Sequence, residues 1–76
     1  MSEPQNEIQI NEKYVPSPIM KYFSFSHLPL SLHLPAASIA EVAGLMDRHL
    51  PNGPEKSAGL RKLLEAKDCF VRSLLP

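Results

Sequence analysis

The sequence predicts an all-α fold, a kinked antiparallel helical hairpin preceded by an extended N-terminal arm. Two segments carry apolar residues at helical spacing, and a turn rich in proline and glycine separates them. The first eighteen residues contain three prolines, three acidic residues and little to bury. We therefore interpret residues 1–18 as a flexible or extended arm and residues 19–76 as the hairpin domain. Residues 7–10 alternate weakly and could form a short strand.

The first predicted helix ends near residue 50. Its apolar stripe consists of Ile39, Val42, Ala43, Met46 and Leu50. Residues 19–34 are ambiguous, because their leucines alternate at period two while residues 26–29 resemble a helix start. We favour a helical start near Pro29. Pro35 would then lie inside the helix and remove a backbone hydrogen bond, which predicts a kink or two helices meeting there.

The second predicted helix covers residues 54–75 and follows the turn formed by residues 51–54. Its apolar face consists of Leu60, Leu63, Leu64, Phe70, Val71, Leu74 and Leu75. At 1.5 Å per residue the helix would be roughly 30 Å long. Helices joined by a connection this short must lie antiparallel.

The chain is too short to bury a large core. A domain of 76 residues buries only about 60% of the surface that its unfolded chain exposes. Cys69 is the only cysteine, so an intramolecular disulfide is excluded. The three histidines, His27, His33 and His49, lack the spacing of a structural zinc site, and we expect no metal. Self-association is the remaining means of stabilisation, and the apolar share of 43% favours it.

The charge balance, the length of the apolar runs and the absence of catalytic motifs disfavour several classes of function. Eight basic and eight acidic residues give a formal net charge of zero, which disfavours binding to duplex nucleic acid. No apolar run is long enough to span a membrane, and a lone cysteine suits a reducing compartment, so we predict a cytoplasmic protein. No nucleophile–base set and no glycine-rich phosphate loop is present. The sequence therefore predicts a binding protein without catalytic residues or cofactors, and not an enzyme.

Lys67 is the most informative single residue. On a helical wheel it lies in the middle of the apolar face of the second helix. A buried lysine must be paired, extend to solvent or contact a ligand. One interpretation pairs its ammonium with carbonyls freed by Pro35, near residues 35–37. The other places it against an anionic or carbonyl-bearing ligand at a boundary between protomers.

A second stripe of the same helix is charged, and aromatic residues cluster before the first helix. The stripe comprises Arg61, Glu65, Asp68 and Arg72. It could be a solvated face with weak ion pairs, or its arginines could bind phosphates. The cluster comprises Tyr22, Phe23, Phe25 and His27. A hairpin brings it close to Arg72, and aromatic rings beside an arginine are the elements of a nucleobase-stacking site. Alternatively, Phe23 and Phe25 only close the end of the core.

These segments carry a resemblance to a known class of proteins. The shared pattern is Phe25-x-His27-Leu28-Pro29, a helix, Leu50-Pro51, Pro54-Glu55-Lys56, residues 60–68 (LRKLLEAKD) and Val71-Arg72. Over residues 22–73 it resembles the small phage-encoded anti-CBASS cyclic-nucleotide sponges and the related hairpin of phage anti-Thoeris sponges. Pro35 and the leucine-rich segment before it depart from the polar helix surface of these proteins.

The resemblance implies a homo-oligomer, often a hexamer, that sequesters cyclic di- or trinucleotide immune signals without cleaving them. By residue the resemblance extends to Arg72, to Lys67 with Asp68, and to Tyr22 as the counterpart of a base-stacking aromatic residue. Together with His27 and Arg61, these are the predicted ligand contacts. Arg61 and Arg72 would hold phosphates, Lys67 a phosphate or base edge, and Tyr22 would stack on a base. The alternative is a protein-interaction module whose apolar hairpin face docks on a host protein.

Overall fold

The computed structural model describes residues 13–76. Residues 1–12 of the predicted arm, with the weak strand pattern at residues 7–10, lie outside the described residues. A 3-10 helix at Pro18–Phe23 comes first, and a short one at Leu30–Leu32 follows. Helix α1 then covers His33–His49, and helix α2 covers Pro54–Arg72. No strand occurs in residues 13–76, which confirms the all-α prediction.

Helices α1 and α2 pack against each other as a hairpin. The connection is residues 50–53, and Pro54 is the first residue of α2, as the sequence predicted. Proline is favoured there because the first amide of a helix has no intrahelical acceptor and the ring already has a helical φ. The observed helices are 17 and 19 residues long, so each spans about 25–29 Å.

Pro35 lies in the first turn of α1, where a proline does not interrupt the hydrogen bonds of the helix. It is the third residue of α1, and the backbone amides there have no partner within the helix. The preceding 3-10 helix Leu30–Leu32 joins α1 directly, and the amide of His33 donates to the carbonyl of Leu30. Of the two outcomes expected from the sequence, a meeting of two helical segments describes this region, and it lies just before the proline. The second half of the ambiguous segment is thus helical from Leu30.

The core lies where the first 3-10 helix covers the seam between α1 and α2. Phe23, Ala43 and Leu60 are each at most 2% exposed. Half-buried apolar side chains surround them: Ile19, Met20, Ile39, Ala40, Leu63 and Leu64. Phe23 therefore belongs to the core, whereas Phe25 lies outside it, with its ring centroid 5.4 Å from that of His33.

Residues 13–23 form a strap across the hairpin, irregular at residues 14–17 and 3-10 helical at Pro18–Phe23. The other side of the seam carries exposed apolar side chains, among them Val42, Met46 and Leu50. Within the described residues, no helix combines the length and the hydropathy that crossing a membrane requires.

Candidate functional site

Lys67 is buried, as its position on the helical wheel required. The residue is 7% exposed, and its Nζ donates a hydrogen bond of 2.7 Å to the backbone carbonyl of Tyr22. The partner is therefore a carbonyl, but it comes from the strap and not from residues 35–37. An ammonium has three N–H donors, and within residues 13–76 only this hydrogen bond is formed. Two donors remain for solvent or a ligand.

The Lys67 side chain lines an open cleft of about 200 Å³. The lining residues of this Lys67 cleft are His27, Leu28, Lys67, Asp68, Val71 and Arg72. One wall is the segment between the two 3-10 helices, and the other is the last third of α2. Four of the six residues that the sequence predicted to contact a ligand therefore line one cleft. Leu28 and Val71 add the apolar surface that a base or ribose could pack against.

Polar groups in the Lys67 cleft are only partly satisfied by the protein. A guanidinium N–H of Arg72 donates a hydrogen bond of 3.4 Å to the sulfur of Cys69. Cys69 is itself exposed. Asp68 forms no ion pair or hydrogen bond with any residue in the described range 13–76. The i,i+4 ion pairs expected of a solvated charged stripe are thus not formed there, either between Arg61 and Glu65 or between Asp68 and Arg72.

The structure separates the other two predicted contact residues from this cleft. The Tyr22 side chain is 57% exposed, with the ammonium of Lys21 5.2 Å from its ring centroid; only its carbonyl reaches Lys67. Arg61 lines a second cleft of about 540 Å³, beside the strap and Ser57. Eleven residues of α-helix place Arg61 and Arg72 about 16 Å apart along α2. Within one protomer the two arginines therefore line different clefts.

Asp47 is the centre of a polar cluster that sequence reasoning missed. Its side chain is fully buried, and one carboxylate oxygen lies 3.1 Å from Lys56 Nζ. The hydroxyl of Tyr14 donates to the other oxygen. Ser17 contributes its amide at 2.9 Å and its hydroxyl at 2.5 Å. A signal was available, because Asp47 follows Ile39 and Ala43 at spacings of four on the buried stripe of α1.

Lys56 ties this cluster to the turn of the hairpin. Besides the carboxylate, its ammonium donates to the carbonyls of Asp47 at 3.0 Å and Leu50 at 3.3 Å. It also donates to the side-chain oxygen of Asn52 at 2.6 Å. The end of α1, the turn and the start of α2 are therefore bound to one ammonium. The Asp47 cluster, comprising Tyr14, Ser17, Asp47, Asn52 and Lys56, fixes the closed end of the hairpin.

Burial and hydrogen bonding shift two titrations in the cluster. Burial alone would raise the pKa of Asp47, but hydrogen bonds from Ser17, Tyr14 and Lys56 outweigh it and hold that pKa well below its usual range. Burial and the hydrogen bond to the Asp47 carboxylate raise the pKa of Tyr14 to about 12. The guanidinium of Arg48, 4.9 Å from the Tyr14 ring centroid, opposes that rise.

The Tyr14 shift predicts a loss of stability at high pH. The folded pKa lies above the unfolded value of about 10. The neutral phenol therefore contributes stability that is complete below about pH 10 and is lost as the pH rises through 12. Urea denaturation at pH 8 and pH 11 should show a larger decrease for the wild type than for Tyr14→Phe. Equal decreases in the two proteins would contradict the assignment.

No family model, curated protein or solved structure matches the chain. The resemblance to the phage sponges therefore stays a prediction from the sequence. Among residues 13–76, no group of three or more histidine, cysteine or acidic side chains could hold a metal ion. The function is therefore inferred from the arrangement of the side chains in the Lys67 cleft.

Proposed function

We propose that this protein binds cyclic di- or trinucleotides without cleaving them, and so sequesters these immune signals in the cytoplasm. The observation that carries the proposal is the pairing of Lys67 and Arg72 along one open cleft. Both are cations, and both retain N–H donors that no protein group within residues 13–76 accepts. The resemblance of residues 22–73 to phage sponges supports the same ligand class.

The two cations suit a phosphodiester for different reasons. Lys67 is a buried point charge, and water screens a charge less when it is removed from solvent. Its hydrogen bond to the Tyr22 carbonyl fixes the ammonium before any ligand arrives, so little side-chain entropy is lost on binding. Arg72 lies at the exposed rim, where its planar guanidinium can bind a phosphate through two parallel hydrogen bonds.

The size of the cleft suggests that one protomer holds only part of the ligand. Its volume of about 200 Å³ is below the roughly 300–1,000 Å³ of pockets that enclose a small molecule. A cyclic dinucleotide would extend beyond it, and a second protomer could supply the remaining contacts. Self-association, with a hexamer as the favoured form, would then complete the site as well as cover apolar surface.

Substitution of Arg72 tests the cleft directly. We expect Arg72→Ala to weaken the binding of cyclic dinucleotides at least tenfold, because a charge-assisted contact contributes about 1.5–3 kcal/mol. Isothermal titration calorimetry with a panel of cyclic di- and trinucleotides measures the effect. Lys62→Ala removes an exposed cation from the same helix and serves as the matched control. Absence of micromolar binding by the wild-type protein to every member of the panel would contradict the proposed function.

A protein-docking function has one observation in its favour. An open groove of about 330 Å³ runs along the seam on the side away from the strap, and its walls are almost entirely apolar. Val42, Met46 and Leu50 line it and are 39–45% exposed. Mass in solution separates the two functions. A stable oligomer that binds nucleotides favours the sponge, whereas a monomer without nucleotide affinity favours docking on another protein.

A further inference from the structure

Asp68 is difficult to explain in a cleft that binds only phosphate. Its side chain lines the cleft beside Lys67 and Arg72, and a carboxylate repels a phosphodiester. Within residues 13–76 it accepts no hydrogen bond and forms no ion pair, although Arg72 is one helical turn away. The guanidinium of Arg72 is directed to the sulfur of Cys69 instead. The carboxylate therefore faces the cleft with all of its acceptor positions open.

Local structure gives no reason for an acidic residue at this position. Asp68 lies four residues before the end of α2, where the helix dipole does not favour a negative charge. Aspartate is also among the weaker helix formers. The carboxylate does not cap a helix and forms no ion pair with the buried Lys67. The Lys67 ammonium instead donates a hydrogen bond to the backbone carbonyl of Tyr22. A hydrogen-bond donor of a ligand is a partner that would complete this carboxylate.

The chemistry of a carboxylate specifies which part of a cyclic nucleotide it can contact. Its two oxygens only accept hydrogen bonds, so the partner must present donors. Single-stranded nucleotides are commonly read at the Watson–Crick edges of their bases. Guanine offers two adjacent donors there, N1–H and the N2 amine, which match the two carboxylate oxygens. Adenine, cytosine and uracil each place an acceptor next to their donor, and a carboxylate repels that acceptor.

We propose that Asp68 makes the Lys67 cleft selective for guanine-containing cyclic nucleotides. Lys67 and Arg72 hold the phosphodiester, and the carboxylate of Asp68 accepts hydrogen bonds from N1–H and N2–H of one guanine. Leu28 and Val71, which also line the cleft, provide an apolar surface for that base. This assignment rests on the proposed function, since it concerns the ligand of the same cleft.

Three cyclic dinucleotides test the assignment on the full chain: cyclic di-GMP, cyclic di-AMP and cyclic di-IMP, whose base lacks the N2 amine. By calorimetry, the wild-type protein should bind cyclic di-GMP at least tenfold more tightly than cyclic di-AMP, with cyclic di-IMP in between. Asp68→Asn replaces one carboxylate oxygen by an amide NH2 group, a donor that cannot accept a hydrogen bond from guanine. It should weaken the binding of cyclic di-GMP at least tenfold. The affinity for cyclic di-AMP should not fall and should rise if the carboxylate repels the adenine acceptor.

Glu65→Gln is the matched control, because Glu65 is an exposed acidic residue on the same stripe but outside the cleft. It should leave all three affinities unchanged. Thermal melting of Asp68→Asn should match the wild type, since the carboxylate has no partner within residues 13–76. Equal binding of cyclic di-GMP and cyclic di-AMP by the wild type, or equal losses in Asp68→Asn, would overturn the selectivity alone. Binding of none of the three would overturn the proposed function together with it.

Discussion

Asp47→Ala is expected to destabilise the protein by about 3 kcal/mol, because removal of one partner of a buried ion pair leaves the other without its counter-charge. The variant loses the acceptor for Tyr14, for both donors of Ser17 and for Lys56. Small domains are stable by only about 5–15 kcal/mol. For a chain of 60–100 residues, the loss corresponds to a decrease of roughly 15 °C in melting temperature. Thermal unfolding followed by circular dichroism measures it.

Glu41→Ala is the matched control for Asp47→Ala, because Glu41 lies on the exposed side of the same helix. It should melt within about 3 °C of the wild type, since surface substitutions change stability by no more than about 0.5 kcal/mol. A melting temperature of Asp47→Ala equally close to that of the wild type would contradict the role of the cluster.

Acid provides an independent measurement of the same carboxylate. The folded pKa of Asp47 is depressed, and the unfolded value is about 3.9. Its contribution to stability is therefore complete above about pH 5 and is lost as the pH falls below that value. The destabilisation caused by Asp47→Ala should accordingly diminish in acid. A constant difference in unfolding free energy between pH 7 and pH 3 would count against the pKa shift.

Lys67→Met is expected to abolish most ligand affinity while it leaves the fold intact. Methionine keeps the length of the side chain and removes the buried ammonium. The Tyr22 carbonyl loses its donor, but burial of an ammonium is itself costly. Relief of that cost opposes the loss of the hydrogen bond, which contributes about 1.5–3 kcal/mol. We therefore expect the unfolding free energies of the variant and the wild type to agree within about 1 kcal/mol. Affinity for the best-bound cyclic nucleotide should fall about 100-fold, which equals about 2.7 kcal/mol.

Lys62→Met introduces the same change at an exposed position of α2 and should retain full affinity. The comparison separates the two interpretations of Lys67 that the sequence left open. If Lys67→Met binds as tightly as the wild type and unfolds much more easily, Lys67 is only a structural residue. If it stays folded and loses binding, the ammonium contacts the ligand.

The hairpin itself could be predicted because its signals are local. The stripe from Ile39 to Leu50 and the turn at residues 51–54 predict the end of α1 and the start of α2 to within a few residues. Pro35 was harder to place, since a proline fits equally well before a helix, at a kink or in a first turn. The choice depends on the 3-10 helix Leu30–Leu32, which has no distinctive pattern in the sequence.

Contacts made by the strap could not be predicted in the same way. The buried position of Lys67 follows from the periodicity of α2, but its partner, the Tyr22 carbonyl, is 45 residues away in the chain. Ser17 and Asp47 are 30 residues apart. Periodicity shows that a polar residue is buried and does not show which distant segment supplies the partner. For this reason the sequence does not indicate that Ser17 and Asp47 are partners, and its composition predicts residues 13–18 as part of the arm.

The strap also has a consequence for how the chain folds. Each helix forms from contacts between neighbours in sequence, and the short turn at residues 50–53 lets α1 and α2 pack progressively from their closed end at little entropic cost. The strap must instead find Asp47 at one end and Lys67 at the other, across 30 and 45 residues. We therefore expect the hairpin to assemble first and the strap to dock last. Because this last step supplies Phe23 to the core and the carbonyl to Lys67, the cleft takes its final shape only when folding is complete.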